Sequence, residues 1–145
     1  MSVVFIPVEN LKKEEEEIVV YKPSLEESSE IIKKIRKLVN KKTVITPHAR
    51  QRMRERGWSV DELYIFLRKA MYVAKVRYNA ELADDPLNPF TYEVVGWRKG
   101  EKRIIKNGKI TKIKTPVLSS VVVTIEKTPD GREHLKVNTV YKNIT

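Results

Sequence analysis

There is no cysteine in the 145 residues, which excludes disulfides, thiolate nucleophiles and sulfur-ligated metal sites. Histidine is nearly as scarce. His48 and His134 are few and far apart, so a His-rich metal centre is not expected, and neither is any other cofactor. The five glycines assemble no phosphate-cradling loop and no dinucleotide fingerprint. No apolar run approaches the ~20 residues that cross a bilayer, and MSVVFIPVEN lacks the basic start and cleavage pattern of a signal peptide. The expectation is a cytoplasmic protein with no membrane partner.

Charge of one sign is what the chain has in excess. Lys and Arg number 29 against 19 Asp and Glu, a net +10, and such a field favours polyanions. With 41% apolar residues the chain still has enough to bury a core, so it reads as globular rather than disordered.

Local signals divide the chain into helices first and strands after. SVVFIPV at 2–8 and IVVY at 18–21 are short β-like runs around the acidic tract KKEEEE, read as a solvated turn or helix end. SLEESSEIIKKIRKLVN then opens with Ser24 and has Glu27 three residues on, the capping-box spacing. Its Ile31, Ile32, Ile35, Leu38 and Val39 share one helical face. Thr46 and Pro47 begin a short second helix that Gly57 stops. Ser59 and Glu62 begin a third, whose Val60, Leu63, Tyr64 and Leu67 face inward. From Tyr72 onward β-branched and alternating runs dominate, with Asn107-Gly108 and Pro129-Asp130-Gly131 as tight-turn signals and 79–89 as a loop. The fold class predicted is α+β, N-terminal helices packed on a mostly antiparallel sheet.

The stretch TPHARQRMRERGWS, 46–59, carries the chemistry. On a helix Ala49 and Met53 form an apolar stripe, and His48, Arg52 and Arg56 form a second one about 12 Å long. His48 falls in the first turn, where free N–H groups favour an anion and the neutral, base-competent imidazole. Guanidinium forks hold phosphate at two points. Imidazole beside two guanidiniums suits cleavage of RNA without metal, one group taking the 2′-hydroxyl proton and the cations steadying the phosphorane. The plainer account is a capping histidine beside solvated arginines. Arg50 and Arg54 point elsewhere on the helix and are candidate nucleic-acid contacts.

The motif ITPHARQRMRERGWSVDEL, with His48, Ala49, Arg52, Met53, Glu55, Arg56, Gly57 and Ser59, resembles the helix signature of a family of small domains of uncharacterised function, as does the ending Asn138-Thr139-Val140-Tyr141. That family is similar to the barnase–EndoU–colicin–RelE superfamily of compact, metal-independent ribonucleases, many of them toxins. The resemblance spans about residues 44–142 and implies a RelE/barnase-like domain over 43–145, with 1–42 as an N-terminal arm carrying an amphipathic helix. It implies His48 as the acid/base group, Arg52 and Arg56 as phosphate clamps, RNA as substrate and a small acidic antitoxin as partner. Alternation on the last strand puts Leu135, Val137, Thr139 and Tyr141 on one face. If that face meets the His48 helix, the Thr139 or Tyr141 hydroxyl bonds the phosphate; a tyrosine in a strand is otherwise a core residue.

RKGEKRIIKNGKITKIK at 98–114 holds eight basic residues and one acidic. Arg98, Lys99, Lys102, Arg103 and Lys106 can track a phosphate backbone, or such lysines can simply protect a sheet edge. Glu93 is followed by Val94 and Val95 rather than by a lysine two residues on, which argues against two-metal nuclease chemistry. Two rivals to a ribonuclease stand beside it: a non-catalytic nucleic-acid-binding accessory protein of a plasmid or virus, and an interaction protein whose acidic N-terminal arm pairs with its own basic site or with a partner.

Overall fold

The computed structural model describes residues 18–80 and 90–141. The run 2–8, the acidic tract and most of the 79–89 loop lie outside those residues. In chain order come β1 (Ile18–Tyr21), α1 (Leu25–Leu38), β2 (Thr43–Ile45), α2 (Pro47–Arg56), α3 (Val60–Arg68), β3 (Tyr72–Asn79), β4 (Thr91–Lys106), β5 (Lys109–Lys127) and β6 (Glu133–Val140).

Each helix starts where its side chains can satisfy the free first-turn N–H groups. Ser24, Thr46 and Ser59 accept from the backbone N–H of Glu27, Ala49 and Glu62 at 3.1, 3.0 and 3.1 Å. Acidic residues occupy the first turns of α1 and α3, where the helix dipole favours them. Gly57 ends α2 in the left-handed region at φ 72°, a conformation that costs glycine nothing.

The strands form one six-stranded sheet in the order β1-β3-β4-β5-β6-β2. Every pairing is antiparallel except β2 with β6. The architecture is therefore α+β with a mostly antiparallel sheet. Among the described residues no helix is long and apolar enough to cross a membrane.

The helices cover one face of the sheet. Ile32, Ile35 and Leu38 of α1, Ala49 and Met53 of α2, and Leu63, Phe66 and Leu67 of α3 join Val73, Val76, Val94, Val121, Val123, Leu135, Val137 and Val140 in a single cluster. Full burial of a side chain such as Phe66 contributes roughly 1.5–3 kcal/mol. The boundary drawn at residue 42 does not fall at a break in this core. β1 extends the sheet on β3, and α1 buries Ile35 completely, so residues 18–41 are integral to the fold.

Two long strands dominate the sheet. β4 runs for 16 residues and β5 for 19, joined by Asn107 and Gly108 at φ 53° and 76°, the left-handed pair that closes a two-residue hairpin. β3 borders β4 only as far as Val95, and β6 borders β5 only from Val121. From Trp97↔Leu118 outward the hairpin is a two-stranded arm with no third strand beside it among the described residues.

Candidate nucleic-acid interface

α2 is held at both ends by β6. The Thr46 backbone N–H donates to Val137 O at 3.2 Å, and its hydroxyl donates to Asn138 O at 3.3 Å. At the other end an Arg56 Nη1–H donates to Val140 O. Ala49 and Met53 are buried beneath, as the apolar stripe requires.

The second stripe keeps to one helical face but does not converge on one point. His48 is exposed and has no side-chain hydrogen bond among the described residues. Arg52 is half-exposed and paired with Glu55 at 2.9 Å. Hydrogen bonds from Arg52 and then Gln51 hold the Glu55 carboxyl below the usual range. Arg56 turns to the end of β6, its guanidinium carbon 5.9 Å from the centre of the Tyr141 ring, within cation–π range. Arg50 and Arg54 are exposed.

The alternation expected along β6 breaks at Asn138. Val123 faces Val137 while its neighbour Val122 faces Thr139, so one extra residue of β6 is accommodated as a bulge. Leu135, Val137 and Val140 are all fully buried. Val140, not Thr139, therefore points to the helices, and Thr139 lies on the opposite face of the sheet. Tyr141 is 41% exposed and sits beside Arg56 rather than in the core. Of the five residues expected at a catalytic centre, the structure brings Arg56 and Tyr141 together. It leaves His48 and Arg52 along the same helix, while the Thr139 hydroxyl donates to Val140 O at 3.5 Å, the carbonyl that Arg56 also bonds.

Arg98 also departs from expectation. Its side chain is 9% exposed and forms a fork with Glu62, Nη2 to Oε1 at 3.0 Å and Nε to Oε2 at 3.2 Å. Nη2 further donates to Gly57 O at 3.0 Å, and the guanidinium lies 4.1 Å from the Trp58 ring centre. Trp58 in turn meets Phe66 edge-on at 5.2 Å. This cation joins the end of α2 to α3 and is occupied within the protein. The sequence signal was available, since Glu62 had already been placed at the third position of α3, but the pairing across 36 residues was not.

The remaining arm cations stand differently. Lys99, Arg103, Lys106, Lys109, Lys112 and Lys114 are exposed, and Lys102 lies in β4 opposite Ile113. An open cleft of about 500 Å³ between the end of α2 and the arm is lined by Arg56, Gly57, Gly100, Lys99 and Lys114, among others. A larger groove of about 900 Å³, which sequence reasoning missed, lies between the end of α1 and the β5–β6 turn, with Lys34, Lys37, Lys41, Lys42 and Arg132 on its walls. Two of those cations are matched by acids, Lys34 with Glu133 and Arg132 with Asp130, each at 3.1 Å. The negative end of the α1 dipole also meets this groove, so it suits an anion less well than the arm does.

His134 is half-buried and bonded to Glu126 at 2.9 Å, with Lys136 on the same carboxylate at 3.4 Å. It belongs to a cross-strand charge cluster. Compared with protein-family models, with curated proteins and with solved structures, the chain matches none.

Proposed function

We propose that the protein binds RNA through the β4–β5 arm and the neighbouring end of α2. The observation that carries this reading is the arm itself: eight basic residues against one acidic at 98–114, on a ribbon that no third strand borders among the described residues. With Arg98 occupied internally, seven cations remain. If about five of them meet phosphates on a single strand, log K falls with log salt at a slope of about −3.5. Titration of labelled RNA from low to moderate salt measures that slope. No binding at low salt, or affinity indifferent to salt, refutes the proposal.

A second reading, a metal-independent endoribonuclease of toxin type, is favoured by the exposed His48 in the first turn of α2, one turn from Arg52. In that reaction His48 removes the 2′-hydroxyl proton and the 2′ oxygen attacks phosphorus. The bond to the 5′ oxygen breaks with proton uptake, and a cyclic phosphate remains. Arg52 and Arg56 neutralise the phosphorane, and the partner is a small acidic antitoxin covering the basic surface. RNA incubated with the protein and EDTA is expected to yield fragments ending in cyclic phosphate, and His48→Ala to abolish them. Intact RNA throughout leaves the binding protein alone standing, and cleavage surviving the substitution removes His48 from the chemistry.

A further inference from the structure

Antiparallel pairing sorts the arm into two faces, because directly opposed residues share a face and successive ones alternate. One set joins Trp97, Lys99, Glu101, Arg103 and Ile105 to Leu118, Pro116, Lys114, Lys112 and Ile110 in that order. The other joins Arg98, Gly100, Lys102, Ile104 and Lys106 to Val117, Thr115, Ile113, Thr111 and Lys109 in that order.

The two faces are unlike. In the second set Val117 is buried and Arg98, Gly100, Ile104 and Thr115 are half-buried, since near the root this side leans on α2 and α3, and its one exposed apolar side chain among the described residues, Ile113, is 40% exposed. In the first set every residue except Leu118 is exposed. Trp97 is 49% exposed at the root, where it shares a groove of about 480 Å³ with Ile65, Phe66 and Pro116. Ile105 and Ile110 stand 80% and 70% exposed at the tip. Between them lie Lys99, Arg103, Lys112 and Lys114, and the lone acid, Glu101, is opposite Lys114.

Cations alone would hold any polyanion, and charge alone would protect an edge. Neither accounts for a half-bare indole at one end of a cationic track and two bare isoleucines at the other. Unpaired bases do, because they offer the π faces that a duplex keeps stacked. We infer that this face is a track for single-stranded RNA, with one base stacked on Trp97, the backbone following Lys99, Arg103, Lys112 and Lys114, and a second base resting on the Ile105–Ile110 pair. Trp97 to Ile105 spans about 26 Å at ~3.3 Å per residue, which suits a site of roughly four nucleotides, the short end of the usual range.

The inference rests on the RNA binding proposed above, and its test separates the two. Affinities of the full chain are measured for a labelled single-stranded RNA and for the same sequence as a duplex, and for the corresponding single-stranded DNA. The single-stranded RNA is expected to bind best. Trp97→Ala weakens it about tenfold or more, while Trp97→Phe retains most of the affinity. Two double variants then remove equal charge from opposite faces at directly paired positions: Arg103→Gln with Lys112→Gln, and Lys106→Gln with Lys109→Gln. The first lowers the salt slope by about 1.4, two contacts at about 0.7 each, and the second by less than half of that. Equal losses from both doubles, indifference to Trp97→Ala, or preference for the duplex or for DNA overturns the track while leaving nucleic-acid binding in place. Failure of the unaltered protein to bind at low salt removes both.

Discussion

Replacing Arg98 by alanine separates a structural cation from a ligand-facing one. The guanidinium is 9% exposed and forked onto Glu62, with further bonds to Gly57 O at 3.0 Å and Arg56 O at 3.4 Å. Removing one partner of a buried ion pair costs about 3–5 kcal/mol, mostly through the charge left behind. Glu62 keeps 25% exposure, so water recovers part of that loss. The carbonyls at the end of α2, by contrast, lose a charged donor, a further effect of about 1 kcal/mol. The net expectation is about 3 kcal/mol, or roughly 10 °C in Tm for a chain of this size. Urea and thermal unfolding of Arg98→Ala, Glu62→Gln and the double variant test it, with a coupling between the two sites of at least about 1 kcal/mol expected from the cycle. RNA affinity, measured well below the transition, should hold within about twofold. A loss under about 1 kcal/mol, or a stable variant that no longer binds RNA, would refute the placement of this cation inside the fold.

Three further outcomes follow from the packing. Gly96→Ala places a methyl 3.1 Å from Phe66 Cε2, and overpacking of that kind costs roughly 1–3 kcal/mol in chemical unfolding; an unchanged midpoint would show that Phe66 moves aside freely. Thr46→Ala removes the cap that accepts from Ala49 N and the hydroxyl donor to Asn138 O, with an expected loss of about 1–2 kcal/mol and faster hydrogen exchange in the first turn of α2. Burial first, and then the hydrogen bond to Glu27, hold the Tyr21 hydroxyl well above the ordinary tyrosine range. A raised folded value means that this contribution is complete below the unfolded pKa of about 10 and declines as pH climbs from there toward the folded value. Stability measured between pH 9 and 12 should fall less steeply in Tyr21→Phe than in the unaltered chain, and parallel curves would rule out the linkage.

Local chemistry was legible wherever it acts over a few residues. Ser24, Thr46 and Ser59 cap the helices the sequence assigns to them, and Asn107-Gly108 makes its turn. Less legible was what depends on a remote partner. Gly100 and Pro116, residue types that commonly interrupt strands, both lie within continuous ones. Pro116 faces Lys99 on a ribbon with no third strand, so its missing N–H leaves no ladder unsatisfied. The bulge at Asn138 has no signature in NTVY, and it alone sends Thr139 to the far face and Val140 to the core. Arg98 reads as one more member of a basic run until Glu62 and Trp58 are seen beside it.

The parallel pairing of β2 with β6 also governs when the molecule can mature. β6 is the last described strand to leave the ribosome, and it supplies both the edge against which Ile45 aligns and the carbonyls that anchor α2 at Thr46 and Arg56. Until about residue 140 has emerged, the histidine helix has no platform, and closure over some 90 residues of intervening chain is slow compared with helix formation. A nascent chain thus carries its basic arm before it possesses an anchored α2, and α2 gains its platform only once β6 has emerged.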